Sequence, residues 1–208
     1  MQDIVFEADR LACIRGERML FDGLSFRLEA GHGLLVTGHN GCGKTSLLRI
    51  LCGLSLPEDG EVRWRGTDIR EDRSAYFRDM AYIGHANGVK ADLTVAENLR
   101  VSLALTTGGP MDLIDAALDD VGLVGLASEP AGALSAGQCR RLALARLLVS
   151  RAALWIVDEP FNALDQTGVL QVESLISRHL ADGGLVIMTS HQPLKTLGDS
   201  LEQLRMAA

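Results

Sequence analysis

Gly38-His39-Asn40-Gly41-Cys42-Gly43-Lys44-Thr45 is the most informative segment of this 208-residue chain. It fits the pattern G-x-x-x-x-G-K-[ST], whose glycines allow a tight loop with backbone N–H groups facing a polyphosphate. A short apolar run, residues 34–37, precedes the segment, and a helical pattern, residues 45–54, follows it. The positive end of that helix would add to the attraction for phosphate. The segment therefore predicts a nucleotide-binding loop; a glycine-rich turn that happens to carry a lysine is the alternative.

Two side chains of this loop have a predicted role of their own. Lys44 is expected to reach the β- and γ-phosphates of ATP, and the Thr45 hydroxyl is expected to bind Mg²⁺. The predicted nucleotide-binding residues of the loop are Gly38, His39, Asn40, Gly41, Cys42, Gly43, Lys44, Thr45 and Ser46.

Two acids end a second apolar segment, where residues 154–159 read Leu-Trp-Ile-Val-Asp-Glu. A buried strand carries acids only where it leaves the core, because an unpaired buried charge is costly. We predict that Asp158 holds Mg²⁺ through water. Glu159 is then the predicted general base that polarises the attacking water. Two capping acids before the turn at Pro160 are the alternative interpretation.

A third apolar segment, residues 185–188, runs into Thr189, Ser190 and His191. If this segment is a neighbouring strand, His191 follows its end much as Glu159 follows the end of the second segment. We predict that His191 contacts the γ-phosphate and orients the water. A purely structural histidine is the alternative.

The order of these patterns predicts an α/β fold. The first 30 residues alternate apolar and polar side chains over short stretches, which indicates antiparallel strands. Residues 93–149 are mostly helical in pattern, and the short continuous runs at 152–157 and 185–188 are typical of central parallel strands. Strand–helix alternation with a helical insertion, in one domain, is the expected architecture.

Composition narrows the function. Twenty basic and 27 acidic side chains leave a net charge of −7, which argues against a nucleic-acid partner. No apolar run reaches the 18 residues that a membrane span needs, so we expect the chain in the cytoplasm, with any membrane location supplied by a partner. The four cysteines form no C-x-x-C pair and predict reduced thiols.

Residues 134–138, Leu-Ser-Ala-Gly-Gln, separate this chain from other nucleotide-binding proteins. Ser135 stands three residues before Gln138, the spacing of a capping box, so Ser135 is expected at a helix N-terminus that forms a second anion site. A helix cap without further function is the alternative. The segment resembles the signature sequence of ABC ATPases, and the resemblance covers nearly the whole chain. It implies a P-loop fold with a RecA-like core, an N-terminal antiparallel β-subdomain and a helical subdomain.

The resemblance also implies an arrangement in space. The core and β-subdomain would comprise residues 1–85 and 147–208, and the helical subdomain residues 86–146. Ser135, Gly137 and Gln138 would bind the γ-phosphate of ATP held by a second copy of the chain. Residues 162–165 resemble the loop that links the two sites of such a dimer.

Two positions depart from the family pattern. His85 stands where the family usually has a glutamine that senses the γ-phosphate or Mg²⁺; a neutral imidazole still accepts a hydrogen bond from metal-bound water. Arg15 stands where an aromatic ring often stacks on adenine. Its guanidinium is either a replacement for that ring or a solvated surface charge.

Residues 83–99, 158–161 and 189–194 resemble one branch, the CcmA family of cytochrome c maturation. That resemblance implies a CcmB-like integral membrane subunit, together with CcmC- and CcmD-like proteins, at the cytoplasmic face of the inner membrane. ATP hydrolysis there would export haem or release a haem chaperone. The ATPase of another small-substrate importer or exporter is the first alternative. A soluble non-transport ABC ATPase is the second, which the acidic charge disfavours.

Overall fold

The structure is a computed structural model that describes residues 5–106, 110–191, 194, 197 and 200–206. Its strands are β1 (Val5–Arg15), β2 (Arg18–Glu29), β3 (Gly33–Thr37), β4 (Asp59–Trp64), β5 (Thr67–Asp68), β6 (Met80–Ile83), β7 (Leu154–Val157), β8 (Leu185–Thr189) and β9 (Leu201–Arg205). Its α-helices are α1 (Lys44–Leu51), α2 (Arg73–Asp79), α3 (Val95–Leu105), α4 (Asp112–Asp120), α5 (Ala136–Ser150) and α6 (Gln166–Ala181).

The strands form two sheets of different kinds. One is four-stranded, in the order β2-β1-β4-β5, and antiparallel throughout. The other is five-stranded, in the order β6-β7-β8-β3-β9, and parallel throughout. The predicted α/β class, with an N-terminal antiparallel sheet beside a parallel core, is confirmed.

The parallel sheet is buried on both faces, which explains the continuous apolar runs of its strands. Successive side chains point to opposite faces. Leu34 and Ile156 pack on the side of α1 and the antiparallel sheet. Leu35 and Trp155 pack on the opposite side, against α5 and α6. Each face therefore has its own layer of the core.

Helix α5 belongs to two layers at once. Leu144 and Leu147 pack into the layer beneath the parallel sheet, while Leu142 and Val149 pack against α3 and α4 in a third apolar cluster. The helix runs without a break past residue 146, where the resemblance to ABC ATPases implies the end of a helical subdomain. The division at residues 86 and 146 stays a prediction.

Helix α1 is shorter than predicted and ends at Leu51 rather than residue 54. The cause is Gly53, whose φ of 67° cannot continue a right-handed helix. Its N–H bonds to the Ile50 carbonyl at 2.9 Å, and the Leu54 N–H reaches back to the Arg49 carbonyl at 2.9 Å. These two bonds satisfy carbonyls that the end of the helix would otherwise leave unpaired.

Since all strands of the parallel sheet run in one direction, their carboxyl ends meet at one edge. The loop of residues 38–43 leaves β3 there, and the turn at Asp158 leaves β7. His85 follows β6 and His191 follows β8. Four separate sequence signals thus converge. Among the described residues, no helix has the length and apolar character to cross a membrane.

Candidate functional site

The loop between β3 and α1 depends on its glycines for conformation and for space. Gly38, Gly41 and Gly43 have φ angles of 152°, 81° and 104°. A Cβ on Gly38 would lie only 2.7 Å from Cys42 Sγ. The buried Cys42 side chain thus fills the inner side of the loop, and side chains larger than hydrogen are excluded at position 38.

Lys44 is held inside this loop. It is only 8% exposed, and its Nζ donates to the carbonyl oxygens of Gly38 at 2.7 Å and His39 at 3.2 Å. Both acceptors are neutral, so the positive charge has no carboxylate partner in these bonds. The ammonium is therefore available to a phosphate entering the loop.

A chain of hydroxyl and carboxylate groups joins the loop to two strands. Thr45 Oγ1 donates to Asp158 Oδ2 at 3.0 Å, and Thr189 Oγ1 donates to Asp158 Oδ1 at 2.7 Å. Asp158 is 4% exposed, and such a buried carboxylate is tolerable only with hydrogen bonds of this kind. The backbone N–H of Glu159 donates to Thr189 Oγ1 at 2.9 Å. The helix α1 and the ends of β7 and β8 are thereby locked together.

Glu159 adopts a strained backbone conformation beside His191. Its φ is 52°, in the left-handed region that residues with a side chain seldom occupy. His191 Nε2 lies 3.2 Å from Glu159 Oε1, close enough for an ion pair when the imidazole is protonated. The alignment is not that of a hydrogen bond, and Oε1 is buried without one. Among the described residues this oxygen therefore has no hydrogen-bond donor, and its nearest charged neighbour is the imidazole of His191.

The donor set fits Mg²⁺. Thr45 and Asp158 offer a hydroxyl and a carboxylate, the hard oxygen ligands that Mg²⁺ prefers. Among the described residues, no cluster of three or more His, Cys, Asp or Glu side chains is placed to hold a metal unaided. An ion at Thr45 and Asp158 would therefore take its remaining ligands from water and substrate phosphates, as is usual for Mg²⁺.

Most of these groups line one cavity of about 610 Å³, within the range of small-molecule sites. It brings together most of the predicted site residues. The lining consists of Arg15, Arg18, Leu20, Asn40, Gly41, Gly43, Lys44, Thr45, Ser46, His85, Asp158, Glu159, Asn162 and His191. Gly38, His39 and Cys42 shape the loop without lining the cavity, and Ser135, Gly137 and Gln138 lie outside the lining.

Comparison with known proteins agrees with this geometry. Residues 21–162 match the ABC transporter family. The cytochrome c biogenesis ATP-binding export protein CcmA of Methylococcus capsulatus is 54% identical over 201 residues, which cover 96% of this chain and 97% of that protein. The chain belongs to the CcmA family of ABC transporter ATP-binding proteins. The protein of the same name from Nitrosospira multiformis is 51% identical over 200 residues, 94% of this chain and 96% of that protein.

The fold is likewise that of ABC proteins. A solved ATP-binding subunit of an ABC transporter superposes with a TM-score of 0.85 at 21% identity, over 98% of this chain and 88% of that one. This CcmA-family chain is an ATPase of an ABC transporter, and its nucleotide is ATP. The family recognised from the sequence is thus confirmed.

The ABC signature segment begins a helix, as the capping-box spacing predicted. Ser135 Oγ accepts from the Gln138 N–H at 3.3 Å, and Gln138 Oε1 accepts from the Ser135 N–H at 2.8 Å. Gly137 lies against the turn after Glu159, where a Cβ would come within 2.7 Å of the Ala163 carbonyl oxygen. Contact of these residues with the ATP of a second copy stays a prediction.

Both departures from the ABC pattern lie at the cavity wall. Arg15 is exposed and lies in the hairpin of β1 and β2, beside Arg18 and Leu20. His85 is exposed at the start of the loop that follows β6. Their predicted contacts, adenine for Arg15 and metal-bound water for His85, remain predictions.

Sequence reasoning missed Thr189 as a site residue and missed Arg140 altogether. Thr189 had a detectable signal, because it is the polar residue that ends the apolar run of β8. Arg140 had none, because it is one of two adjacent arginines in a helical pattern. The structure buries Arg140 to 3% exposure, with hydrogen bonds to the carbonyl oxygens of Asp158 and Glu159. Burial lowers the pKa of Arg140, and the charges of these two acids raise it.

Proposed function

We propose that this chain is the ATP-hydrolysing subunit of a membrane complex for c-type cytochrome maturation. The observation that carries the proposal is identity of 46–54% with relatives named for cytochrome c biogenesis, over nearly the full length of both chains. The position of Lys44, Asp158 and Glu159 around one cavity supports the ATP-hydrolysing part of the proposal, because the three side chains can meet one bound nucleotide.

Within the proposed site, each residue has a distinct task. Lys44 binds the phosphates, and the backbone N–H groups of residues 39–45 surround them. Thr45 and Asp158 hold Mg²⁺, which when bound neutralises phosphate charge. Glu159 takes the proton of the attacking water through its carboxylate, whose Oε1 lies beside His191. His191, 3.2 Å from that oxygen, orients the water and the γ-phosphate.

A second copy of the chain completes the proposed site. Ser135, Gly137 and Gln138 lie outside the cavity of their own chain, yet the N-terminus of α5 is capped and carries the positive end of a 15-residue helix. We propose that this helix end binds the γ-phosphate held by the other copy. Each ATP then lies between two chains.

A membrane subunit is the other proposed partner. Large apolar side chains are exposed from the end of α1 through α2: Leu54 at 51%, Leu56 at 75% and, on α2 itself, Phe77 at 40%. Leu56 and Phe77 border the same groove. Clustered exposed apolar residues favour a protein contact. We propose a CcmB-like subunit as that partner, with CcmC- and CcmD-like proteins in the complex at the cytoplasmic face of the membrane.

The deciding experiment measures covalent haem in c-type cytochromes on a haem-stained gel after deletion of the gene in its host. Loss of stained cytochromes, restored by the wild-type gene but not by Glu159→Gln, is the expected result. Unchanged cytochromes would contradict the role in cytochrome maturation while leaving the ATPase family intact.

A further inference from the structure

Arg140 lies on α5, behind the turn that carries the acidic residues of the ATP site. Its Nη2 donates to the carbonyl oxygens of Asp158 at 2.6 Å and Glu159 at 2.8 Å, and its Nε donates to that of Pro160 at 3.3 Å. One guanidinium thus binds three consecutive carbonyls on both sides of the predicted base. It touches backbone only in these bonds, so it fixes the path of the chain rather than the carboxylates themselves.

The rest of the guanidinium reaches a second loop. Nη1 donates to the Gly84 carbonyl oxygen at 3.3 Å and to Asn87 Oδ1 at 3.0 Å. These residues flank His85. All five N–H donors of the arginine are therefore used, which a lysine or glutamine could not reproduce. Arg146, further along the same helix, donates to the Asn87 carbonyl oxygen at 3.1 Å and anchors the loop again.

The turn that Arg140 holds is strained. Glu159 and Ala163 have φ angles of 52° and 62°, although neither is glycine. Such conformations persist only when the surrounding structure enforces them. Arg140 binds the turn at Glu159, and Gly137, one helical turn earlier, lets the helix approach the Ala163 carbonyl closely. The first turns of α5 thus hold both strained residues.

We propose that Arg140 is a positioning residue for ATP hydrolysis, which keeps Glu159 in the conformation needed to act on the attacking water. The inference rests on the proposed role of Glu159 as general base. Because Ser135 caps α5 and is proposed to face the ATP of a second copy, a shift of this helix reaches Glu159 and the His85 loop through one side chain. Arg140 thereby couples the dimer contact to the base.

The test compares Arg140→Gln and Arg140→Lys with Arg141→Gln as the matched control. Arg141 is the next residue of the same helix, but its Nη1 donates to the carbonyl oxygen of Val121 at 3.1 Å, away from the turn. We expect Arg140→Gln to lower kcat on the order of 10- to 100-fold, as small misplacements of a reacting group do. The KM for ATP should change less than about threefold, because phosphate binding is untouched. The kcat of Arg140→Lys should lie between those of Arg140→Gln and the wild type. The kcat of Arg141→Gln should equal that of the wild type.

Two further variants separate this inference from the proposed function. Near-normal turnover in Glu159→Gln overturns the base role and the inference with it. An inactive Glu159→Gln together with a normal kcat in folded Arg140→Gln overturns the inference alone. In the double variant Arg140→Gln/Glu159→Gln, the Arg140 change should lower kcat little beyond the value for Glu159→Gln alone, because both changes act through the Glu159 carboxylate. A kcat reduced by the product of the two single effects would contradict the inference. If Arg140→Gln does not fold, Arg140→Lys carries the test, and a wild-type kcat there is the contrary result.

Discussion

Thr189 Oγ1 donates to Asp158 Oδ1 at 2.7 Å and at the same time accepts from the Glu159 N–H at 2.9 Å. One hydroxyl on β8 therefore fixes both acids that follow β7. Thr189 itself is fully buried, so water cannot replace either bond. The relation between these strands, rather than the acids alone, sets the geometry of the ATP site.

Removal of this hydroxyl should damage stability and turnover together. Thr189→Val keeps the shape but leaves a buried carboxylate oxygen and a backbone N–H unpaired, at a cost of about 1–3 kcal/mol in the free energy of unfolding. Urea denaturation and steady-state ATPase assays measure the two effects. Thr189→Ser keeps the hydroxyl and is the control. Equal stability in Thr189→Val and wild type would show that the bonds contribute nothing net.

A large side chain at the capped start of α5 should lower ATP turnover without unfolding the chain. Ser135→Arg places a long cation where a second copy is proposed to present its ATP, so turnover should fall at least tenfold while ATP binding to the single chain is kept. Ser135→Ala removes the cap without adding bulk, and its loss of stability, about 1 kcal/mol, measures the part of the Ser135→Arg effect that is due to the lost cap. Normal hydrolysis in Ser135→Arg would contradict the two-chain site.

Variants of Arg15 test whether this side chain binds the adenine ring of ATP. If its guanidinium stacks on adenine, Arg15→Ala should weaken ATP binding by about 0.5–1 kcal/mol, and Arg15→Tyr should restore or improve it. Arg10 is an exposed arginine on the same strand outside the cavity lining, and Arg10→Ala serves as the control. Unchanged dissociation constants for ATP in all three variants would leave Arg15 as a solvated charge.

His179 should make stability depend on pH. It stacks on Trp155 at 3.8 Å between ring centroids, and burial lowers its pKa from the ordinary value of 6.5. The folded chain thus binds this proton less readily than the unfolded chain does. The contribution to stability is full above pH 6.5 and is lost as pH falls through the lowered pKa.

His179→Phe retains a ring on Trp155 but cannot be protonated. Urea denaturation at pH 7.5 and pH 5.5 should therefore show a smaller drop in unfolding free energy for the variant than for wild type. His32, which is exposed, supplies the control variant His32→Phe. An identical drop in wild type and His179→Phe would rule out this histidine as the cause.

The parts of the site that could be predicted are those coded by local pattern. The loop of residues 38–45 and the acids after β7 could be recognised from the sequence, because glycines with a lysine, or paired carboxylates, are unusual directly after a buried strand. The cap at Ser135 could be predicted as well, since Ser135 and Gln138, which bond to each other, lie only three residues apart. In each case a short stretch contains both the residue and its context.

What could not be predicted depends on residues distant in sequence. Arg140 meets Asp158 only after α5 packs beneath the sheet, and no spacing in the sequence records that contact. Strand β9 was also missed, because its residues Leu201–Arg205 mix polar and apolar side chains, as an edge strand allows. The end of α1 depended on one residue, Gly53, whose φ of 67° ends the helix at Leu51.

Because the strands of the parallel sheet all run in one direction, the length of a strand sets the distance between its amino end and the ATP site. Strand β3 spans five residues, so its amino end lies roughly 16 Å from the loop that binds phosphate. His32, exposed just before that strand, is thus a place for a spectroscopic probe that leaves the chemistry undisturbed. Of the cysteines, Cys42 and Cys52 are buried, so replacing the half-buried Cys13 and Cys139 and introducing His32→Cys would direct a thiol dye to position 32. Energy transfer between two such probes would report the approach of two copies as ATP is added.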